Sequence, residues 1–357
     1  MIRSRVTFFM ILLVSFITPF ASGTIILAEN QPTVTHVIPG GQSVGVQLHT
    51  SGVVVAGFSE IKTSDGEISP AKQSGLQVGD IIIRVNQAKI ENMSEFTSLL
   101  ERMTEKSDTV ELMVKRKENI FPINLKPYEI DDELKLGLFI KDATAGIGTM
   151  TFYDPKFQKY GALGHRITDQ HSKKPMDIYN GKIVRSQVTS INKGENGVPG
   201  EKKARFSMKD SSLGTIQKNS DFGIFGKITK GSELFSQKKP IPVASSDEVK
   251  KGKAKIYTVI EGDEVETFDV EIISSKPSQK AATKGMIIKV TDERLLKKTG
   301  GIVQGMSGSP IIQDGKLVGA ITHVFLNDSK SGYGVHVEWM LNEAGLQIAD
   351  KQTALAS

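Results

Sequence analysis

The segment from Thr299 to Phe325 restricts the possible folds more than any other, because it sets a serine on a tight glycine turn directly before a β-hairpin. Gly305-Met306-Ser307-Gly308-Ser309-Pro310 leads into two apolar runs that meet at Asp314-Gly315, a dipeptide favoured in two-residue hairpin turns. Glycines beside a serine let the backbone turn sharply and leave N–H groups uncovered. A nucleophilic hydroxyl needs both, an open approach and donors for the charge that forms on the attacked carbonyl oxygen. The same pattern also suits a loop that merely joins two strands. The rest of the chain has to choose between these readings.

With 357 residues the chain can form two or three domains, and 24% charged with 38% hydrophobic residues is ordinary for a soluble globular protein. The net charge of +5 is mild, and Lys and Arg are scattered apart from short clusters such as Glu201-Lys202-Lys203-Ala204-Arg205. Solvated faces fit this better than a nucleic-acid surface. The absence of cysteine excludes disulfides, thiolate nucleophiles and cysteine-based zinc sites. At the N-terminus, Arg3 and Arg5 precede an apolar run from Val6 to Ala21, the pattern of an export signal. Ala21-Ser22-Gly23 offers a cleavage site, yet Thr24 to Ala28 prolongs the apolar character, so residues 6–28 are also long enough for an uncleaved membrane anchor. Residues 1–28 are therefore assigned to a signal or anchor, with the remainder outside the cytoplasm of the compartment that makes it.

Past a polar joint at Glu29 to Pro32, strands are expected at Val53–Phe58, Ile81–Asn86 and Val110–Arg116. Ser69-Pro70 starts a short helix that Gly75 ends. A second helix, Ser94 to Glu105, places Phe96, Leu99, Leu100 and Met103 on one face. From Leu136 onward short β-like segments and many glycines point to a barrel or sandwich. Residues 192–214 read as a long polar loop, and Tyr333 to Trp339 as a strand.

A serine needs a base to take its proton. Of six histidines, His36 and His49 lie in the first module, His323 alternates with Ile321 and Phe325 as a packed or edge residue, and His336 sits in a strand-like run. His171 lies in a Ser/Lys-rich loop. His165, in the glycine-bounded turn Gly161-Ala162-Leu163-Gly164-His165, suits a two-barrel division in which the base comes from the first barrel and the nucleophile from the second. Asp292, Asp169 and Asp154 are candidates for the acid that orients it. On spacing alone they stand equal.

Two resemblances add to this. The run Ser69-Pro70-Ala71-Lys72-Gln73-Ser74-Gly75-Leu76-Gln77-Val78-Gly79-Asp80, continuing to Asn86, resembles the PDZ family over residues 34–127. It implies capture of extended peptides by strand addition, with Gly40, Gly41 and Gly45 holding a carboxylate and Val46 to Leu48 as the pairing edge. The GxSGxP setting of Ser307 resembles chymotrypsin-like serine peptidases, although Met306 stands where many of them carry an aspartate, so activation by a new N-terminus is not expected. Taken together, Pro39-Gly40-Gly41-Gln42-Ser43-Val44-Gly45-Val46, the PDZ-like run, the His165 turn, Thr291-Asp292 and the Ser307 turn resemble the stage IV sporulation protein B family of signalling serine peptidases.

That resemblance implies a mainly β chain with an α+β module, a PDZ domain (34–127) followed by a chymotrypsin-like double β-barrel peptidase domain (137–350). It implies Ser307 as nucleophile, His165 as base, Asp292 as orienting acid and the N–H groups of Gly305 and Ser307 as oxyanion hole, with no cofactor and no metal. The implied job is export across the forespore membrane, self-processing near the N-terminus, and cleavage of a regulator of an intramembrane protease complex that releases a late sigma factor. The implied partners are that protein substrate, the chain's own N-terminal segment, a PDZ peptide ligand and the membrane. Two alternatives from other classes are a quality-control peptidase of the HtrA kind, in which the PDZ module normally follows the protease domain, and a non-catalytic PDZ scaffold.

Overall fold

A short strand, β1 (His36–Pro39), passes through Gly40-Gly41 into β2 (Ser43–Phe58), a strand of 16 residues that reaches from one module of the molecule into the next. The computed structural model describes residues 32–349 except Asp65, 104–108, 131–132, 169–179, 207–211, Gly231, 236–237 and 278–279. The signal or anchor segment, Asp169 and His171 thus fall outside the described residues. Among the described residues no helix is long and apolar enough to cross a membrane.

The distal half of β2 starts an α+β module containing α1 (Pro70–Gln73), β3 (Ile81–Val85), α2 (Met93–Arg102), β4 (Val110–Arg116) and β5 (Asn119–Leu125). Asn92 caps α2 by accepting the Glu95 N–H, and the Glu95 carboxylate reaches back to the Glu91 N–H. This reciprocal cap starts the helix ahead of Ser94. Val53, Val55, Ile82, Phe96, Leu112 and Leu125 are buried together in the core of this module.

The chain then returns along β6 (Leu138–Asp154), antiparallel to β2 from Leu138 opposite Phe58 to Thr149 opposite Ser43. After it come β7 (Lys159–Ala162), β8 (Asn180–Arg185), the ribbon of β9 (Gln187–Asn192) and β10 (Glu201–Arg205), then β11 (Gly214–Ser220) and β12 (Gly223–Ile228). Pairing runs β6-β7-β12-β11-β8-β2, and β2 against β6 closes a six-strand barrel. A second closed barrel contains β13 (Gly252–Thr258), β14 (Glu266–Ser275), β15 (Met286–Val290), β16 (Pro310–Gln313), β17 (Lys316–Phe325) and β18 (Asp328–His336), with helix α3 (Glu293–Thr299) after β15 and α4 (Val337–Glu343) after β18. Phe152 and Phe225 of the first barrel pack with Leu317 and Val335 of the second and with Trp339 and Met340 of α4. Each such side chain contributes roughly 1.5–3 kcal/mol relative to exposure, so the barrels are held together by a shared core.

The expected fold class is the observed one, an α+β PDZ module with two barrels. Its boundaries differ in one respect. Residues 43–49 belong to the first barrel and β1 pairs with β6 beside it, so the PDZ module lies between two barrel strands, and β2 and β6 run through both parts.

The same observation corrects the expected peptide edge. Val46 is paired with Gly146 on one side and Ile183 on the other, Leu48 with Thr144 and Gly181, and Gly45 with Ile147 and Val184. The Gly40 and Gly41 N–H groups donate to Thr151 O and Met150 O at 2.9 and 2.8 Å. Gly40, Gly41, Gly45, Val46 and Leu48 therefore offer no open edge and no free donor loop, because the first half of β2 is taken up by the barrel. The groove of about 490 Å³ beside α2 is lined instead by Phe96, Leu100, Ile130, Leu134, Leu138 and Ile140.

Two further expectations are revised. The polar stretch 192–214 contains β10, which pairs with β9. The strand-like run to Trp339 stops at His336, and Val337, Trp339, Met340 and Leu341 are buried on a helix whose fully apolar face imitates alternation. The Asp314-Gly315 hairpin is as expected, with both residues at positive φ, 50° and 76°.

Candidate active site

The candidate base and the candidate nucleophile come from opposite barrels. β7 ends at Ala162, and the chain turns through Leu163 and Gly164, both at positive φ, to present His165. From the other side Gly308 lets the serine turn press onto the first barrel. A Cβ there would lie 2.1 Å from Thr149 O and 2.4 Å from Leu163 N, a space only glycine can occupy. β6 fastens the turn, since the Thr149 N–H donates to Ser307 O at 2.9 Å, Thr149 Oγ1 to Gly305 O at 2.8 Å and Thr151 Oγ1 to Gly308 O at 2.8 Å.

His165, Ser307, Gly305 and His323 line one cleft of about 650 Å³, together with Val46, Leu48 and Ile147. Val46 and Leu48, two of the residues expected to bind a PDZ ligand, thus border the peptidase cleft. In this conformation the Ser307 hydroxyl donates to Thr322 O at 2.8 Å rather than to His165. Neither the Gly305 nor the Ser307 N–H is engaged by a backbone hydrogen bond among the described residues, and both belong to the turn beside the hydroxyl. Burial lowers the His165 pKa from its ordinary value, partly opposed by its bond to the Arg166 carbonyl.

That bond, His165 Nδ1 to Arg166 O at 3.0 Å, decides the tautomer. A carbonyl only accepts, so the proton sits on Nδ1 and the Nε2 lone pair is left for a serine proton. This orientation is the task usually given to a triad acid. Asp292 is placed elsewhere. It is the N-cap of α3, where its carboxylate accepts from the Arg294 and Leu295 N–H groups and pairs with Arg294 at 3.1 Å. Burial works to raise its pKa, but these bonds and the Asp269 N–H together hold it below the usual carboxylate value. Asp154 accepts from the Phe157 N–H in the turn after β6.

A carboxylate that the sequence reading missed, Asp221, pairs with Arg166 Nε at 3.1 Å. Asn219 clamps the next residue, accepting the Ile167 N–H and donating to its carbonyl, both at 2.9 Å. His323 was read as a packed or edge residue; its ring lies 4.9 Å from that of His165, and its pKa falls to about 4, chiefly through burial and then through the charges of His165 and Lys284. It is a neutral wall beside the candidate base. Its position could have been read only from the strand bulge that re-aims β17 between Ile321 and His323. Among the described residues no group of three or more His, Asp or Glu is placed to hold a metal ion.

These placements separate two roles for Asp292. Asparagine caps a helix as well as aspartate does, whereas alanine costs about 0.5–2 kcal/mol. Asp292→Asn is expected to melt close to wild type and retain turnover, with Asp292→Ala less stable. Asp221→Asn removes a half-exposed ion pair and is expected to lower turnover by no more than about fivefold. Melting curves and kcat for the three variants decide it; a folded Asp292→Asn protein with severely reduced turnover would return the orienting role to Asp292.

Comparison with known proteins agrees with the geometry. Residues 42–126 match the PDZ domain model, and residues 132–341 match the SpoIVB peptidase S55 model. Among curated proteins none matches the chain significantly. Two solved structures of the Rv3671c protease are similar, one in its inactive form and one a serine-to-alanine mutant from M. tuberculosis H37Rv. Each is 14% identical and covers 56% of this chain, with 84% and 82% of their own lengths covered and TM-scores of 0.30 and 0.28. With more than half of its 357 residues matched by the peptidase model, the chain belongs to the SpoIVB peptidase S55 family and is a PDZ-containing serine peptidase.

Proposed function

We propose that this peptidase is a signalling endopeptidase of endospore formation that cuts its own N-terminal joint and then a regulator of an intramembrane protease complex, so triggering late sigma-factor activation. The observation that carries the peptidase chemistry is the meeting of Ser307 and His165 in one cleft. Ser307 attacks the scissile carbonyl, Nε2 of His165 takes the hydroxyl proton and returns it to the leaving amine, and the Gly305 and Ser307 N–H groups receive the oxyanion. The acyl-enzyme is then hydrolysed by the same steps with water as nucleophile. The signalling role and the substrate rest on the motif resemblance to the sporulation family.

In this reading residues 1–28 carry the chain across the forespore membrane and hold it there, facing the mother cell, until it is processed. The PDZ module recruits an extended segment of a partner. Thr33 and Val34 pair with Gln347 and Ile348, and Val34 is buried, so this part of the joint is held against the peptidase domain. Anchoring brings joint and catalytic cleft to one membrane surface at high effective concentration.

Wild-type protein is expected to accumulate as a form beginning after Ala28, and Ser307→Ala to persist at the longer length. Mass-spectrometric mapping of both N-termini checks this. Identical N-termini would assign the cut to another enzyme and end the self-release proposal.

A further inference from the structure

Lys202 is among the largest fully buried side chains of the molecule, with 1% of its surface exposed, and the serine mechanism above makes no use of it. It lies on β10, in the stretch whose composition suggested a loop. Its backbone N–H donates to Gln304 O at 2.9 Å, and the Gln304 N–H donates to Gly200 O at 2.8 Å, so β10 runs beside the strand of chain that enters the serine turn. The aliphatic stem lies behind Gly305. A Cβ on that glycine would be 3.1 Å from Lys202 Cβ and 3.3 Å from its Cδ. The amine donates to Thr258 Oγ1 at 2.7 Å, at the end of β13. Among the described residues no charge is credited with shifting it, and burial alone accounts for a pKa lowered to about 7.

A buried, unpaired lysine is costly, and a methionine of similar volume would fill the same space without that cost. Its position therefore calls for a role that packing does not supply. In the proposed mechanism Gly305 carries one of the two N–H groups that receive the oxyanion, and it lines the cleft beside Ser307. A positive charge set behind it in a water-poor surrounding stabilises negative charge more in the transition state than in the ground state.

We infer that Lys202 is a positioning residue of the peptidase, its stem holding Gly305 in place and its ammonium, tethered to Thr258, supporting the oxyanion site from behind. This rests on the peptidase reading of Ser307 and His165. The ionisable groups around it are Glu201 and Lys203 on its own strand, both exposed, and His165, Arg166 and His323 across the cleft, while 302–306 contribute none. Tyr257 neighbours Thr258 on β13, and Glu261 follows it, paired outward with Lys298.

The sign of the pH effect follows. His165 must be neutral to act as a base, so turnover rises with pH through its lowered pKa; Lys202 must be charged, so turnover declines as pH climbs through about 7. A bell-shaped kcat profile results.

The test compares full-length wild type with Lys202→Met, which keeps the stem and removes the amine, and with Thr258→Val, which removes the tether. Steady-state cleavage of a chromogenic peptide ester is measured across pH. Lys202→Met is expected to melt at or above wild type, to lose about tenfold in kcat near pH 6.5 with KM within twofold, and to lose the alkaline limb of the profile. Thr258→Val is expected to change in the same direction by a smaller factor. A folded Lys202→Met enzyme with unchanged kcat and an unchanged alkaline limb would overturn the inference while leaving the peptidase reading intact. Wild-type protein with no esterolysis dependent on Ser307 would remove that reading itself. Loss of folding in Lys202→Met, with Thr258→Val indistinguishable from wild type at every pH, would also overturn the inference, leaving Lys202 a packing residue.

Discussion

Turnover is expected to disappear when Ser307 is replaced by alanine, and to the same extent when His165 is replaced, by roughly a factor of 10⁴ to 10⁶ in kcat. The double variant loses little more, because a hydroxyl without its base and a base without its hydroxyl are equally idle. What the proposed mechanism leaves is the residual stabilisation by the two N–H groups of the serine turn. Ser309, fully buried behind the turn, is not an alternative nucleophile, and its replacement by alanine leaves activity within a few-fold. Rates with an activated peptide substrate check all four proteins, with folding confirmed by melting. Full activity in folded Ser307→Ala, or its loss only in Ser309→Ala, would show that the wrong hydroxyl had been chosen.

The second large effect separates the observed architecture from the expected one. Had Val46 lain on an open PDZ edge, Val46→Pro would weaken peptide capture and spare the peptidase. In the barrel, Val46 is buried and has a strand on each side. Proline there removes a ladder donor and strands a partner carbonyl, a cost of about 1–3 kcal/mol before any clash of the ring with its neighbours. Against a total stability of roughly 5–15 kcal/mol this threatens the whole first barrel. Val46→Pro is expected to be poorly folded and inactive toward the peptide ester. A well-folded, fully active Val46→Pro protein would mean that β2 is free on one side.

The serine turn and its hairpin were legible because each residue type there has a local reason. Gly308 permits contact with Thr149 and Leu163, and Asp314-Gly315 supplies the two positive φ values of its turn. The His165 turn was legible for the same cause. What local pattern could not carry was partnership between distant segments. The pattern of residue types marks a strand at Val53–Phe58, with Val46 to Leu48 expected as a PDZ pairing edge, yet these belong to one strand, β2, whose first half closes a barrel with β6 and β8. Lys202 looked like part of a solvated charge cluster, because nothing nearby in sequence announces that the serine turn and Thr258 will enclose it. Asp292 sits fifteen residues before Ser307 in the sequence, but its N-cap geometry shows only once α3 is seen to begin at Glu293. His323 faces the cleft because of a strand bulge, and a bulge leaves no mark in the alternation of residue types.

Treatment of the full chain with a fluorophosphonate, followed by peptide mapping of the adduct, addresses the central point most directly. The reagent forms a bond only with a serine whose proton is removed by a neighbouring base and whose oxyanion is received by correctly placed donors. A single adduct on the peptide containing Ser307, absent from His165→Ala and retained in Asp292→Asn, is the expected result. No adduct on the folded wild-type chain, or an adduct that survives the loss of His165, would contradict a peptidase built from these two residues across the two barrels.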